Sequence, residues 1–158
     1  MNKQRTEIKP TEIKPNDPLN MALCTCANIR KAARIVTQMY ETTLQQTGLK
    51  VGQVTMLAVL SKMGDMPLMA LADALVMDRT TLTRNLKPLT RDGLIRVKTE
   101  KDQRVRMVGL TGKGRKKIKQ AYPLWAEAQS RLVDGLGTER WSGLVADLNA
   151  AVDVARIG

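Results

Sequence analysis

Thr80, Thr81, Thr83 and Arg84 fall within five residues, flanked by Arg79 and Lys87. This set presents cations and hydroxyls, without the paired nucleophile and base that catalysis needs. Arginine can grip guanine through two hydrogen bonds, and a threonine methyl can pack against the thymine methyl. Hydroxyls at a helix N-terminus suit phosphate oxygens. Lys87, one turn farther on, is better placed for backbone than for bases. A second basic group follows with Lys101, Arg104 and Arg106. A narrow minor groove attracts arginine through its negative potential, and Arg104 is the residue expected there. Asp102 would be repelled by phosphate. It either orients Arg104 or Arg106 through a charge-assisted hydrogen bond or serves as a turn-forming residue facing water.

The charge is concentrated around these residues. Between Asp78 and Lys119 there are 14 Lys or Arg and 4 acids, a net +10 of the +11 carried by the whole chain. Focused positive charge fits a polyanionic partner better than a merely solubilising surface does. Histidine is absent, which removes the commonest general base and metal ligand. There is no P-loop, nucleophile elbow, dinucleotide fingerprint or zinc spacing. An enzyme is not expected, and neither a cofactor nor a metal site is indicated. No apolar run is long enough to span a bilayer, and no secretory leader is visible. With only two cysteines, a disulfide framework is excluded and a reducing, cytoplasmic setting is expected.

The elements that must position the basic residues follow from periodicity. The repeated Thr-Glu-Ile-Lys-Pro pentads at 6–10 and 11–15, with Pro18, predict a disordered tail over residues 1–18. A helix is predicted over about 19–46, with Cys26, Ile29, Ala33, Val36 and Tyr40 on one face. A second is predicted over 51–63, with Val54, Leu57, Ala58 and Ser61 in one stripe. A short third helix over 67–75 has Pro67 in its first turn. The fourth begins at Asp78 or Arg79, capped by Asp78, and turns Leu82, Leu86 and Leu89 inward. Pro88 should bend it, and Gly93 closes it. Residues 94–98 and 105–110 read as antiparallel strands. Thr111 caps a long fifth helix to about 136, with a bend expected at Pro123. A last helix runs from Thr138 to about 155 with Trp141, Leu144, Val145, Leu148 and Val152 at helical spacing. A short helix, a turn, a basic helix and a strand pair make up a winged helix-turn-helix, whose second helix enters the major groove.

The chain resembles the MarR family of transcriptional regulators over about residues 20–155. The resemblance rests on Leu71-Ala72-Asp73-Ala74-Leu75, Thr80-Thr81-Leu82-Thr83-Arg84, Leu89 with Gly93-Leu94-Ile95, Asp102-Gln103-Arg104, Leu110-Thr111 and Gly114. It implies a mainly α fold of about six helices with a two- or three-stranded wing. It also implies an intertwined homodimer, built from residues 19–47 and 112–158, with a DNA-binding region at 48–111. Arg84 then matches a recognition-helix arginine and Arg104 the wing arginine of the minor groove. Lys50 stands where a capping Ser or Thr is common. The expected partners are double-stranded DNA and a second copy of the chain, with no membrane involved. The function is sequence-specific regulation at a pseudo-palindromic operator, with half-sites about 10 base pairs apart. The alternative is a nonspecific architectural DNA binder.

Such regulators are released by a small phenolic or lipophilic effector, or by cysteine oxidation. Cys26 resembles the reactive cysteine of the peroxide-sensing branch, and Tyr40 a tyrosine that bonds its sulfur. Arg30 replaces a second tyrosine expected there. Cys24 and Cys26 point to different sides of a helix, so a bridge between them requires unwinding. The competing readings are a buried structural cysteine and a soft-ion site. The eight internal methionines are core filler, or else Met39, Met56 and Met63 line an adaptable pocket.

Overall fold

The computed structural model describes residues 21–99 and 106–157. The tail expected over residues 1–18 and the wing tip with Lys101, Asp102 and Arg104 lie outside the described residues. The chain forms two compact units, Met1–Gln38 and Met39–Gly158. The described part of the first holds a 3-10 turn at Met21–Leu23 and most of helix α1 (Thr25–Leu44). Asn28 Nδ2 donates to the Ala22 carbonyl at 2.7 Å and to that of Cys24 at 3.0 Å, tying this turn to the start of α1.

The second unit starts with the last residues of α1. A 3-10 turn (Gln45–Thr47) follows, in which the buried Thr47 hydroxyl donates to Leu44 O at 2.6 Å and accepts from Leu49 N at 3.0 Å. Helix α2 (Val51–Met63) has Lys50 at its N-cap. An ammonium cannot accept a hydrogen bond. The first turn is instead closed by Gln53, whose Oε1 accepts from Lys50 N at 2.8 Å.

Next come β1 (Met66–Pro67), α3 (Leu68–Ala74), α4 (Arg79–Arg91), β2 (Ile95–Thr99), β3 (Arg106–Leu110), α5 (Gly112–Leu136) and α6 (Thr138–Ile157). The strands form one antiparallel sheet in the order β1-β3-β2. Pro67 is therefore not in the first turn of a helix. It pairs with Met107 as Met66 pairs with Val108, and α3 starts one residue later. Proline lacks an N–H to give the ladder and tolerates an edge strand. Both α4 and α5 continue past their internal prolines, Pro88 and Pro123.

The core contains Leu44, Leu57, Leu60, Leu71, Leu82, Leu89 and Val108, all with 2% exposure or less. Burying each such side chain stabilises the fold by about 1.5–3 kcal/mol before entropy is counted. On α2 the buried set is Val54, Met56, Leu57 and Leu60, whereas Ala58 and Ser61 are exposed. The expected stripe is rotated because the sheet and α3 cover one side of α2 while its Ala58 and Ser61 side lines an open cavity. On α6, Leu144, Val145, Leu148 and Val152 remain 37–42% exposed. No helix among the described residues is long and apolar enough to cross a membrane.

Candidate nucleic-acid interface

The start of α4 is built by its N-cap. Asp78 takes an extended backbone, its Oδ1 accepts from Thr81 N at 2.8 Å, and its Oδ2 accepts from Thr81 Oγ1 at 2.7 Å. These bonds favour the carboxylate. The Thr81 hydroxyl first, then the Thr81 amide, holds Asp78 below the ordinary aspartate range. Thr81 is thus committed to the cap, although its sequence position suggests an outward hydroxyl.

Leu82, Leu86 and Leu89 bury one face of α4. That turns Arg79, Thr80, Arg84 and Lys87 to solvent, where their side chains have no hydrogen-bond or ion-pair partner among the described residues. Thr83 is half-buried and donates its hydroxyl to Arg79 O at 2.7 Å. The hydroxyl proton is spent within the helix, so the methyl is the more available part of Thr83. The helix presents unneutralised cations and a threonine hydroxyl near its positive end, an arrangement suited to an anionic partner.

The turn before α4 is strained. Val76 has φ +54°, a left-handed conformation costly for a β-branched residue. Met77 N donates to Ala72 O at 2.9 Å across this turn, which fixes how α4 leaves α3.

The strand pair is anchored at its base. Arg96 donates to Asp65 Oδ2 at 2.6 Å and also to the Leu110 carbonyl. Gly109 lies opposite Arg96 in the ladder, and a Cβ there would meet the Asp65 carboxylate at 2.0 Å. Glycine leaves room for the ion pair. Beyond β3, Thr111 caps α5 by accepting from Gly114 N at 3.0 Å while donating to Gly93 O at 2.7 Å. A Cβ on Gly114 would come within 2.0 Å of Leu94 O. The Leu-Thr-x-x-Gly sequence therefore locks the helix after the wing against the strand before it. Neither the Asp65–Arg96 pair nor this close approach is legible in the sequence, since the partners are distant along the chain. Arg106 is exposed at the described end of β3.

The residues considered for redox sensing are placed differently from expectation. Cys24 is half-buried and precedes the first residue of α1, and Cys26 is exposed in its first turn rather than on a core face. Ile29 and Ala33 on the same stripe are also exposed, so no described residue of this chain covers that face. Tyr40 is buried and donates its hydroxyl to Gln129 Oε1; burial raises its pKa. Among the described residues no group of three His, Cys, Asp or Glu could hold a metal ion.

A cavity of about 500 Å³ opens between α2 and α5, lined by Val54, Ala58, Lys62, Ile118, Tyr122 and Trp125 among others. The rings of Tyr122 and Trp125 stack at 6.0 Å. Met39, Met56 and Met63 are not among its lining residues. Met56 is buried in the core and Met63 is 64% exposed.

Residues 47–105 match the model of the MarR family. The chain is 37% identical to the M. tuberculosis transcriptional regulator MosR, solved in complex with DNA. That match covers 84% of this chain and 98% of the other, with a TM-score of 0.75. Another MosR structure matches at 34% identity and TM-score 0.74, over 85% and 97% of the two chains. A mutant MarR from E. coli, complexed with operator DNA, shares the fold at 20% identity, TM-score 0.75 and coverage of 85% and 98%. No curated protein matches the sequence.

The chain belongs to the MarR family. As a MarR-family member it is a transcriptional regulator and not an enzyme. The helix-turn-helix of the family is α3 and α4, and its wing is β2 and β3. The expected mainly α architecture with a small sheet is borne out, the sheet having three strands.

Proposed function

We propose that the protein binds an operator as a homodimer, each copy laying α4 in a major groove and its wing along the neighbouring minor groove. The observation that supports this most directly is the exposed, unpartnered set Arg79, Thr80, Arg84 and Lys87 on a capped helix whose opposite face is locked in the core. The DNA-bound MosR relative supports it independently. Arg84 reads bases, Arg79, Thr80 and Lys87 meet phosphates or base edges, and Thr83 offers its methyl. Lys101, Arg104 and Arg106 serve the wing, with Arg104 in the minor groove and Asp102 orienting it. Residues 48–111 form the DNA-binding region, and 19–47 with 112–158 the dimerisation region. The half-exposed α6 stripe is suited to a second copy. A protein working on an operator works in the cytoplasm.

Arg84→Ala tests the reading. It should weaken binding to a duplex selected by the wild-type protein by about 1–3 kcal/mol and relax the preference at one base position. Unchanged footprints would refute the role.

Release follows from an effector that favours one dimer geometry over another. The α2–α5 cavity suits a lipophilic or phenolic acid, with Tyr122 and Trp125 as apolar walls and Lys62 as counter-ion. Cys24 and Cys26 are the alternative trigger. Cys24 lies outside α1, so joining them requires fraying only the first turn. Tyr40 bonds Gln129 in this chain, so its part would require giving up that contact. Release by a phenolic acid that survives Lys62→Ala, or by peroxide that survives Cys26→Ser, would remove the respective site.

A further inference from the structure

We infer that the cleft between α4 and the wing is a seat for the single sugar–phosphate strand that divides the two grooves. The inference rests on the operator-binding reading and adds residues to it. Adjacent major and minor grooves are separated by one backbone strand. A duplex that receives α4 in one groove and the β2–β3 hairpin in the next must pass that strand between them. The structure has a cleft of about 300 Å³ at this position. Its outward-facing lining includes Lys87, Thr90 and Arg91 from α4, Val97 from β2 and Arg106 from β3.

The cleft has the chemistry of a phosphodiester site. Three of these five side chains are cations. The Thr90 hydroxyl donates to Leu86 O at 3.1 Å, so its proton is spent and the cations do the binding. Arg91 is held in place, its Nε donating to Asp92 Oδ1 at 2.9 Å. The two terminal amino groups of its guanidinium remain for a phosphate, in the fork geometry that suits one. Asp92 is itself held, since Lys113 Nζ donates to its carbonyl at 2.8 Å. Asp92 and Lys113 are thus positioning residues for Arg91. Val97, 39% exposed, gives the cleft an apolar floor, and a less polar surround strengthens charge interactions. This assigns Arg91, which follows the base-reading end of α4 by two or three turns, to backbone positioning.

Phosphate contacts set salt dependence and carry no sequence information, which distinguishes the seat from the base-reading residues. The test measures the affinity of the full chain for a duplex selected by wild type and for a scrambled duplex, across a salt series. Lys87→Gln and Arg91→Gln should each lower the slope of log K against log salt by about 0.9, and the double variant by about 1.8. Both duplexes should lose affinity by the same factor, leaving the base preference intact. Lys116→Gln, which removes an exposed α5 cation outside the cleft, should change the slope much less. Unchanged slopes in the cleft variants, an altered base preference, or an equal effect from Lys116→Gln would each overturn the seat while leaving operator binding in place. A wild-type protein that retains no duplex would overturn both.

Discussion

At the scale of single residues, α4 divides its threonines by where each hydroxyl proton goes. Thr81 serves the Asp78 cap, Thr83 and Thr90 serve carbonyls one turn back, and Thr80 has no hydrogen bond among the described residues. A run of threonines in a recognition helix is therefore partly a helix-starting device. The Asp78 cap makes this pH-dependent. Its folded pKa is depressed below the ordinary 3.8. Such a group contributes stability above its unfolded value and loses it as pH falls through the folded value. The amide signal of Thr81 should titrate with a midpoint below 3.8, and α4 should fray at its N-terminus below that point. Asp78→Asn, still a good cap, should keep the helix start and abolish this titration. A titration that persists in the variant would mean another group is responsible.

At the scale of elements, the turn between α3 and α4 holds strain that the rest of the unit must offset. A left-handed residue other than glycine costs about 1–2 kcal/mol, and Val76 occupies that conformation with its side chain 53% exposed. Glycine would relieve the strain and add about 0.5–1 kcal/mol of unfolded-state entropy. Val76→Gly is expected to stabilise the protein by about 0.5–1 kcal/mol in denaturant unfolding, the difference between the two effects. A loss of stability would show that Val76 makes favourable contacts outweighing its backbone cost. The wing is anchored by another route. Arg96 joins β2 to Asp65 and to the end of β3, so the described part of the hairpin is tied to the turn after α2. The pair is part-exposed, which limits its energetic weight. Its value is directional, fixing the base from which the hairpin projects.

At the scale of the whole molecule, the apolar surface left on α6 is a demand that the single chain does not meet. Leu144, Val145, Leu148 and Val152 repeat at helical spacing and stay exposed, more than scattered surface residues would account for. A second copy covering them would make stability depend on protein concentration. Leu148→Asp places a charge in that stripe. It is expected to convert the dimer to monomer in sedimentation and to remove operator binding, while α4 and its cap stay intact by amide signals. Dimers that persist in the variant would show that α6 is not the interface.

The amino-acid sequence by itself determined the order of the elements, the inward leucines of α4, the Asp78 cap and the concentration of charge. Those depend on residues within a turn or two of one another, where period and local hydrogen bonding decide. Family membership was legible for a related reason: Leu-Thr-x-x-Gly and the α4 residues are local patterns with a fixed job. Tertiary structure alone decided the rest. Pro67 became a strand residue because β3 lies beside it, and α2 buried a rotated stripe because of what packs on it. Tyr40 found Gln129, and Arg96 found Asp65, across spans where spacing carries no signal. The cleft between α4 and the wing belongs to the same class, because its lining comes from separate elements and exists only once the sheet is paired.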